Sequence, residues 1–121
     1  MFEKDLTIPM LLDFYGELLT ENQRETMVAY YEDDMSLGEI AAGTGITRQG
    51  VRDTIKRGEE QLKSYEERLG LIARLNETLE KVETIKGKIE QIKEINSKTG
   101  MILEIHSKSN EILQTIDEII Y

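Results

Sequence analysis

A row of basic side chains is the feature of this sequence best able to bind a charged ligand. Basic residues recur every four positions, a spacing that places them along one side of an α-helix. Residues 47–57 carry four basic groups and one acidic group, a net charge of +3. The row and its two flanking residues are Arg48, Gln49, Arg52, Lys56 and Arg57. An exposed helix of this kind fits the major groove of a duplex, so we predict contact with nucleic acid.

Each residue of the row has a predicted role. Arg48 and Gln49 lead the helix and are expected to bind base edges, since arginine and glutamine suit guanine and adenine. The phosphate-binding set is expected to be Arg52, Lys56 and Arg57. Thr47, which caps the helix, is expected to touch a phosphate together with nearby amides. The alternative interpretation is an ordinary solvated helix face.

Catalytic chemistry has little support in the composition. The chain contains no cysteine and one histidine, which removes thiolate metal sites, disulfides and histidine pairs. That histidine, His106, falls on the apolar side of a helix and is expected to be a packing residue. The segment Gly43-Thr44-Gly45 lacks the Gly-Lys-Ser/Thr of a phosphate-binding loop. We therefore expect no metal, no cofactor and no enzymatic activity.

Charge is distributed unevenly along the 121 residues. The total is 24 acidic against 15 basic groups, a net charge of -9. Residues 1–35 carry 2 basic and 9 acidic groups, residues 36–70 carry 6 of each, and residues 71–121 carry 7 and 9. Bulk electrostatics therefore oppose a polyphosphate, and nonspecific binding should be weak and sensitive to salt.

The hydropathy pattern and the N-terminus bear on location. No apolar run approaches the roughly 20 residues of a membrane span. The stretch Met1-Phe2-Glu3-Lys4-Asp5 lacks the basic-then-apolar order of a secretory signal. We expect a cytoplasmic protein without a membrane span.

The segment that holds the basic row has the residue pattern of a helix-turn-helix. Six positions meet its packing requirements. In the first helix Ile40 is expected to pack inward, and the small Ala41 lets the two helices approach each other. In the turn Gly45 is expected to take positive φ and Ile46 to fill the core, and Val51 and Ile55 are expected to anchor the second helix.

The spacing of caps and apolar residues predicts an all-α protein with four helices in residues 1–70. The first helix begins near residues 7–9 and runs to about Leu19. Capping boxes open the second helix at Thr20 and the third at Ser36, and a cap at Thr47 opens a fourth helix of about 23 residues. Among the aromatic residues, Phe14 and Tyr31 are predicted to be core, and Tyr15 and Tyr30 half exposed.

Residues 71–121 form a second unit in composition, with 11 of the 15 isoleucines of the chain. A breaker at residues 96–100 divides two amphipathic helical segments, which predicts an antiparallel hairpin or an oligomerisation unit. An exposed isoleucine stripe needs a partner, so we expect a homodimer. The residues predicted for oligomerisation are Ile72, Leu79, Ile89, Ile102, Ile112, Ile116 and Ile119.

The N-terminal part of the chain resembles the YlxM family of small bacterial helix-turn-helix proteins. The resemblance covers roughly residues 10–70 and is carried by several short segments in order. They include Leu12-Asp13-Phe14-Tyr15, Tyr30-Tyr31-Glu32-Asp33-Asp34, Ser36-Leu37-Gly38-Glu39-Ile40-Ala41, Arg48-Gln49-Gly50-Val51 and Ile55-Lys56-Arg57. Gly50, Arg52 and Thr54 stand where relatives usually have Ala, Tyr and Asn.

The resemblance implies a four-helix core similar to the promoter-reading region 4 of sigma factors. It also implies a DNA-binding regulatory protein associated with the signal recognition particle pathway. We thus expect a dimeric nucleic-acid-binding regulator, with DNA favoured over RNA. The alternative is an adaptor that binds protein or RNA components of the signal recognition particle without reading DNA.

Overall fold

The computed structural model describes residues 4–120, with the side chains of residues 4–119. Met1 to Glu3 and Tyr121 lie outside the described residues. The first three belong to the N-terminal stretch that lacks the pattern of a secretory signal. The elements are α1 (Ile8–Tyr15), a 3₁₀ turn (Gly16–Leu18), α2 (Glu21–Tyr31), α3 (Leu37–Thr44), α4 (Arg48–Leu69), α5 (Leu71–Lys98) and α6 (Leu103–Ile120). Within the described residues there is no β-strand, and the predicted all-α class is confirmed.

Local capping signals set the helix starts, as predicted. The Thr20 hydroxyl accepts from the Gln23 N–H, and the Gln23 side chain accepts from the Thr20 N–H. Ser36 and Glu39 form the same reciprocal pair at the start of α3. Such boxes satisfy amides that have no partner within the helix. The short helices α2 and α3 are thereby fixed at their N-termini.

The first four helices enclose one apolar core. Its fully buried side chains come from α1, α2 and α4: Ile8, Tyr15, Met27, Val51, Ile55 and Leu62. Around them are Leu11, Leu12, Leu19, Tyr30 and Ile40. Burying this many large side chains is the main term that stabilises a small domain.

The aromatic residues depart from the sequence-based expectation. Tyr15 and Tyr30 are buried, whereas Phe14 is 41% exposed and Tyr31 is only partly buried. The buried face of α1 is formed by Ile8, Leu11, Leu12 and Tyr15, and Phe14 lies about 100° from Tyr15, beside that face. In addition, α1 ends at Tyr15 and a 3₁₀ turn follows, instead of one helix running to Leu19. This turn carries Leu19 into the core and leaves Leu18 outside, 55% exposed.

Two contacts tie α4 to the other helices. A Cβ on Gly58 would lie 2.9 Å from the Met27 sulfur, so α2 and α4 approach closely where the side chain is absent. Tyr15 Oη donates to Glu66 Oε1 at 2.6 Å. The amides of Leu71 and Ile72 donate to Tyr15 Oη and Glu66 Oε1, which satisfies the first N–H groups of α5.

The chain divides into two compact units after Ile72. In the second unit, Val82 and Asn96 of α5 and Ser109 and Ile116 of α6 are buried, the pattern of two helices packed as the predicted antiparallel hairpin. At the turn, the Asn96 amide donates to the Ile102 carbonyl at 3.0 Å and accepts from the Ile102 N–H at 2.9 Å. Gly87 does not interrupt α5, since its position on the helix surface is open.

Candidate nucleic-acid interface

The interface is built on α3, a three-residue turn and α4. Gly45 ends α3 with φ of 76°, a left-handed conformation that suits glycine. Thr47 is extended, and its hydroxyl accepts from the Gly50 N–H at 2.9 Å, which starts α4. The predicted positive φ of Gly45 and the predicted Thr47 cap are both present.

One face of α4 is anchored in the core. Val51, Ile55, Gly58 and Leu62 are buried and are spaced 4, 3 and 4 residues apart, which is one helix face. From α3, Ile40 packs into the same core, and Ala41 is partly buried against it. These residues hold the two helices of the motif at a fixed relative position.

Ile46 differs from its expected role. The pattern predicts that it fills the core from the turn, but it is 43% exposed. Its turn is short, and the left-handed Gly45 before it and the extended Thr47 after it carry it outward. It lies over the start of α4, where a Cβ on Gly50 would be 3.9 Å from the Ile46 Cβ.

The basic row lies on the solvent side of α4, outside its buried face. All of its members are exposed, as are the two flanking residues: Arg48, Gln49, Arg52, Lys56 and Arg57. Arg48, Gln49, Arg52 and Lys56 lie within about 100° of the circumference of α4, an exposed surface that we call the basic row of α4. Arg57 is also exposed but lies about 100° beyond Lys56, at the edge of this surface. Because the adjacent face of α4 is anchored in the core, the helix is rigid and holds side chains on successive turns about 6 Å apart.

Arg48 also contacts α3. A Cβ built on Gly38 would lie 2.8 Å from Arg48 Nη2 and 3.0 Å from Nε, so the guanidinium rests directly on the glycine backbone. Gly38 is in the first turn of α3, where amides point outward without helix partners. The start of α3 and the start of α4 are thus joined through this arginine.

Gln49 has an intrahelical partner. Its side-chain amide donates to Asp53 Oδ1 at 3.0 Å, one turn further along α4. The contact fixes the direction of the amide and leaves its oxygen, an acceptor, available for a base edge. It also places one acidic group among four basic ones on this surface.

Sequence reasoning misses two members of this surface. Gly38 stands out in the sequence only as part of a family resemblance, yet its backbone contacts the Arg48 guanidinium. Asp53 enters only the net charge, although its four-residue spacing from Gln49 signals a side-chain pair. The contact between Gly38 and Arg48 joins residues on different helices, and no spacing rule detects such contacts.

The acidic groups of the first unit include one strong ion pair. Asp5 Oδ2 lies 2.8 Å from Lys63 Nζ, and hydrogen bonds from Lys63 and Thr7 hold the Asp5 pKa well below its usual range. This pair belongs to the region around the start of α1 and the middle of α4, away from the basic row. Its role is structural.

Two further properties of the described residues limit the functional choices. None of their helices is both long enough and apolar enough to cross a membrane. Among residues 4–120, no three His, Asp or Glu side chains are grouped so that they would share a metal ion.

Comparison with known proteins places the chain in a family. Residues 2–102 match the UPF0122 model, described as "Putative helix-turn-helix protein, YlxM / p13 like". A UPF0122 protein of Caldanaerobacter subterraneus subsp. tengcongensis is 51% identical over 81 residues, which are 67% of this chain and 69% of that protein. A UPF0122 protein of Halalkalibacterium halodurans is 48% identical over 86 residues, covering 71% and 79%. This chain belongs to the UPF0122 family of YlxM/p13-like helix-turn-helix proteins.

Proposed function

We propose that this protein is a nucleic-acid-binding regulator that uses the basic row of α4. The observation that carries the proposal is the exposure of all the basic side chains of the row on a helix whose adjacent face is fixed in the core. Membership of a helix-turn-helix family supports it, because that motif places its second helix in the major groove. DNA is the favoured ligand, since an A-form RNA major groove is too narrow for a helix.

The roles within the row follow from position. Gln49 and Arg48 stand at the N-terminal end of α4, which enters a groove first in motifs of this type. Arg52, Lys56 and Arg57 follow along the helix and suit phosphates. Thr47 and the first amides of α3 flank the same end, where a further phosphate would meet N–H donors and the Arg48 guanidinium.

Domain organisation and partners complete the proposal. Residues 1–70 are proposed as the binding domain and residues 71–121 as a dimerisation region in the cytoplasm, so that two copies of α4 act on one duplex. The resemblance carried by residues 10–70 implies an association with the signal recognition particle pathway, and we include that association in the proposal. No enzymatic step is included in it.

The decisive experiment removes charge from the row. Arg48→Ala combined with Arg52→Ala should weaken binding to a genomic DNA pool at least tenfold and reduce the salt dependence of log K by about two phosphate contacts. Arg24→Ala combined with Arg68→Ala is the matched control, because it removes the same charge at exposed positions off the row. Both variants should keep the wild-type thermal melt followed by circular dichroism.

If the Arg48/Arg52 variant binds DNA as tightly as the wild type, the basic row has no part in the function. If both double variants bind more weakly than the wild type by the same factor, only net charge matters. The salt titration distinguishes these results, because removal of a phosphate-binding side chain lowers the slope, whereas removal of a remote charge does not.

The second candidate is an adaptor that binds a basic protein or the RNA of the signal recognition particle. The observation that favours it is the acidity of residues 1–35, with a net charge of -7. Exposed acidic groups on α1 and α2 would repel a duplex and attract a basic protein. Capture of partners from lysate before and after nuclease treatment separates the candidates: basic proteins retained after nuclease, without enriched DNA, would favour the adaptor.

A further inference from the structure

The interior of the C-terminal hairpin is partly polar. The residues that α5 and α6 turn toward each other are buried or half-buried and recur at spacings of 3 and 4, which is the pattern of a helix pair. On α5 they are Leu79, Val82, Lys86, Ile89, Lys93 and Asn96, and on α6 they are His106, Ser109, Leu113 and Ile116. We call this set the seam; five of its ten members are polar or charged.

The largest apolar surface of the hairpin lies outside the seam. Seven isoleucines, between 37% and 62% exposed, form it: Ile85, Ile92, Ile95, Ile102, Ile105, Ile112 and Ile119. On a helical wheel at 100° per residue, the exposed isoleucines of each helix lie about 90° from its seam, at smaller angles than the seam residues. Because the two helices are antiparallel, these two sides lie on the same face of the hairpin. A groove of about 190 Å³ lined by Ile92, Ile95, Ile102 and Ile105 shows the two rows meeting. We call this surface the isoleucine face.

We propose that the isoleucine face is the contact between two copies of this chain, which form a four-helix bundle from two hairpins. This face supplies a surface for the homodimer included in the proposed function, and the inference rests on that part of it. The exposed isoleucine area is on the order of 600 Å², at the upper end for patches of monomeric proteins. With its flanking side chains it approaches the roughly 800 Å² per partner of a standard interface.

The charges beside the face favour a second copy as the occupant. On the helical wheel, Lys81 and Lys88 border the face on α5, seven residues apart. Glu104, Glu111 and Glu118 border it on α6, each directly before an isoleucine of the face and again seven residues apart. All five are exposed. Lys108 lies among the three glutamates, with its Nζ 3.3 Å from Glu111 Oε2, so the α6 edge has a net acidic charge. One hairpin thus presents a basic edge and a net acidic edge, which are complementary to each other.

This complementarity selects one arrangement. A two-fold axis parallel to the helices places α5 of one copy over α6 of the other, so the basic edge meets the acidic edge. Because Asn96 and Ile102 are paired at the turn, Lys88 is level with Glu111, and Lys81 with Glu118. The other arrangement, α5 over α5, would bring lysines together and is disfavoured. The pairs predicted between copies are therefore Lys88 with Glu111 and Lys81 with Glu118.

The test is sedimentation of the full chain without nucleic acid, so its outcome is independent of whether α4 binds DNA. Wild-type protein should sediment as a dimer. Ile105→Gln combined with Ile112→Gln should raise the dimer Kd at least 100-fold, because each substitution acts twice in a symmetric dimer. Leu103→Gln is the matched control: Leu103 is 75% exposed and lies about 200° from Ile105 around α6.

Circular dichroism on the same samples should show that both variants keep their helix content. A charge swap tests the arrangement: Lys88→Glu and Glu111→Lys should each weaken the dimer about threefold to tenfold, and the double variant should restore it. A monomeric wild-type protein, or an Ile105/Ile112 variant as dimeric as wild type, would overturn the proposal. So would loss of the dimer on Phe14→Gln, which alters the separate exposed row of α1.

Discussion

The core of the first unit and the seam of the C-terminal hairpin bury very different side chains. Six large side chains of the first unit, all apolar except for the Tyr15 hydroxyl, are less than 2% exposed. In the hairpin, Val82 and Ile116 are the buried apolar residues, and Asn96 and Ser109 are buried beside them. The first unit buries its apolar residues within one chain, whereas the hairpin leaves most of its isoleucines on the surface.

This difference shows that a segment with more apolar residues is not necessarily the more stable one. The hairpin contains more isoleucine than the first unit, yet it gains less from it, because only buried area contributes to the hydrophobic term. Its polar seam resembles the polar core positions of coiled coils, which lower stability and fix register. A substitution in the first unit should therefore act within one chain, and a substitution on the isoleucine face should act between chains.

The largest expected effect within one chain is at Ile55. Ile55→Ala should lower the free energy of unfolding by about 2–5 kcal/mol, because it opens a cavity at a fully buried site. Urea unfolding followed by tyrosine fluorescence measures it, since the described tyrosines all lie before Ile72. Leu103→Ala, at a site 75% exposed, is the control and should cost little. If Ile55→Ala lowers the free energy of unfolding by less than about 1 kcal/mol, the contrast between the buried core of the first unit and the exposed face of the hairpin is wrong.

High pH should weaken the first unit before the hairpin. Burial raises the pKa of Tyr31 to about 12 and also raises the pKa values of Tyr15 and Tyr30. A pKa that is higher in the folded state means that stability is complete below pH 10, the ordinary tyrosine pKa, and is lost as the pH rises toward 12. Circular dichroism together with tyrosinate absorbance should show unfolding in this window.

Tyr31→Phe provides the control for the pH experiment. Phenylalanine cannot ionise, so this variant should lose less stability above pH 10 than the wild type does. Its stability at neutral pH should fall slightly, since the Asp5 amide loses the Tyr31 hydroxyl as an acceptor. An equal loss of stability above pH 10 in the wild type and in Tyr31→Phe would contradict the burial effect.

The smallest expected effect concerns Gly38, the residue that the Arg48 guanidinium contacts. Gly38→Ala should displace the guanidinium, because the added Cβ would lie 2.8 Å from Nη2, and DNA affinity should fall about threefold to tenfold. Gly43→Ala is the matched control on the same helix, since no atom lies within 4 Å of its added Cβ. Both changes raise helix propensity equally. Identical affinities would show that the position of Arg48 is unimportant for binding.

Features set by local sequence were predictable. The caps at Thr20, Ser36 and Thr47 and the left-handed Gly45 depend on residues within one turn, and all are present. The inward side of α4 was equally clear, because Val51 and Ile55 are its only aliphatic residues before Leu62.

Features that depend on tertiary packing were not predictable. Apart from Leu103, the apolar residues of α6 span about 120° of its circumference, so periodicity cannot tell which row faces α5. Thus Ile116 is buried, whereas Ile112, from the same predicted set, is 42% exposed. Ile72, also of that set, packs against the first core, and Leu79 and Ile89 are half-buried. Phe14 was misplaced because the buried face of α1 includes Ile8 and Leu12, which leaves Phe14 about 100° from Tyr15 at its side.

The Tyr15 hydrogen bonds have a consequence for synthesis of the chain. They join α1 to residues 51 and 56 positions later, at Glu66 and Leu71. A chain emerging from the ribosome at roughly 5–20 residues per second exposes α1 several seconds before these partners. The first unit therefore cannot close around Tyr15 until the start of α5 has left the exit tunnel. Translation speed through residues 16–71 sets how long that apolar surface stays open to chaperones.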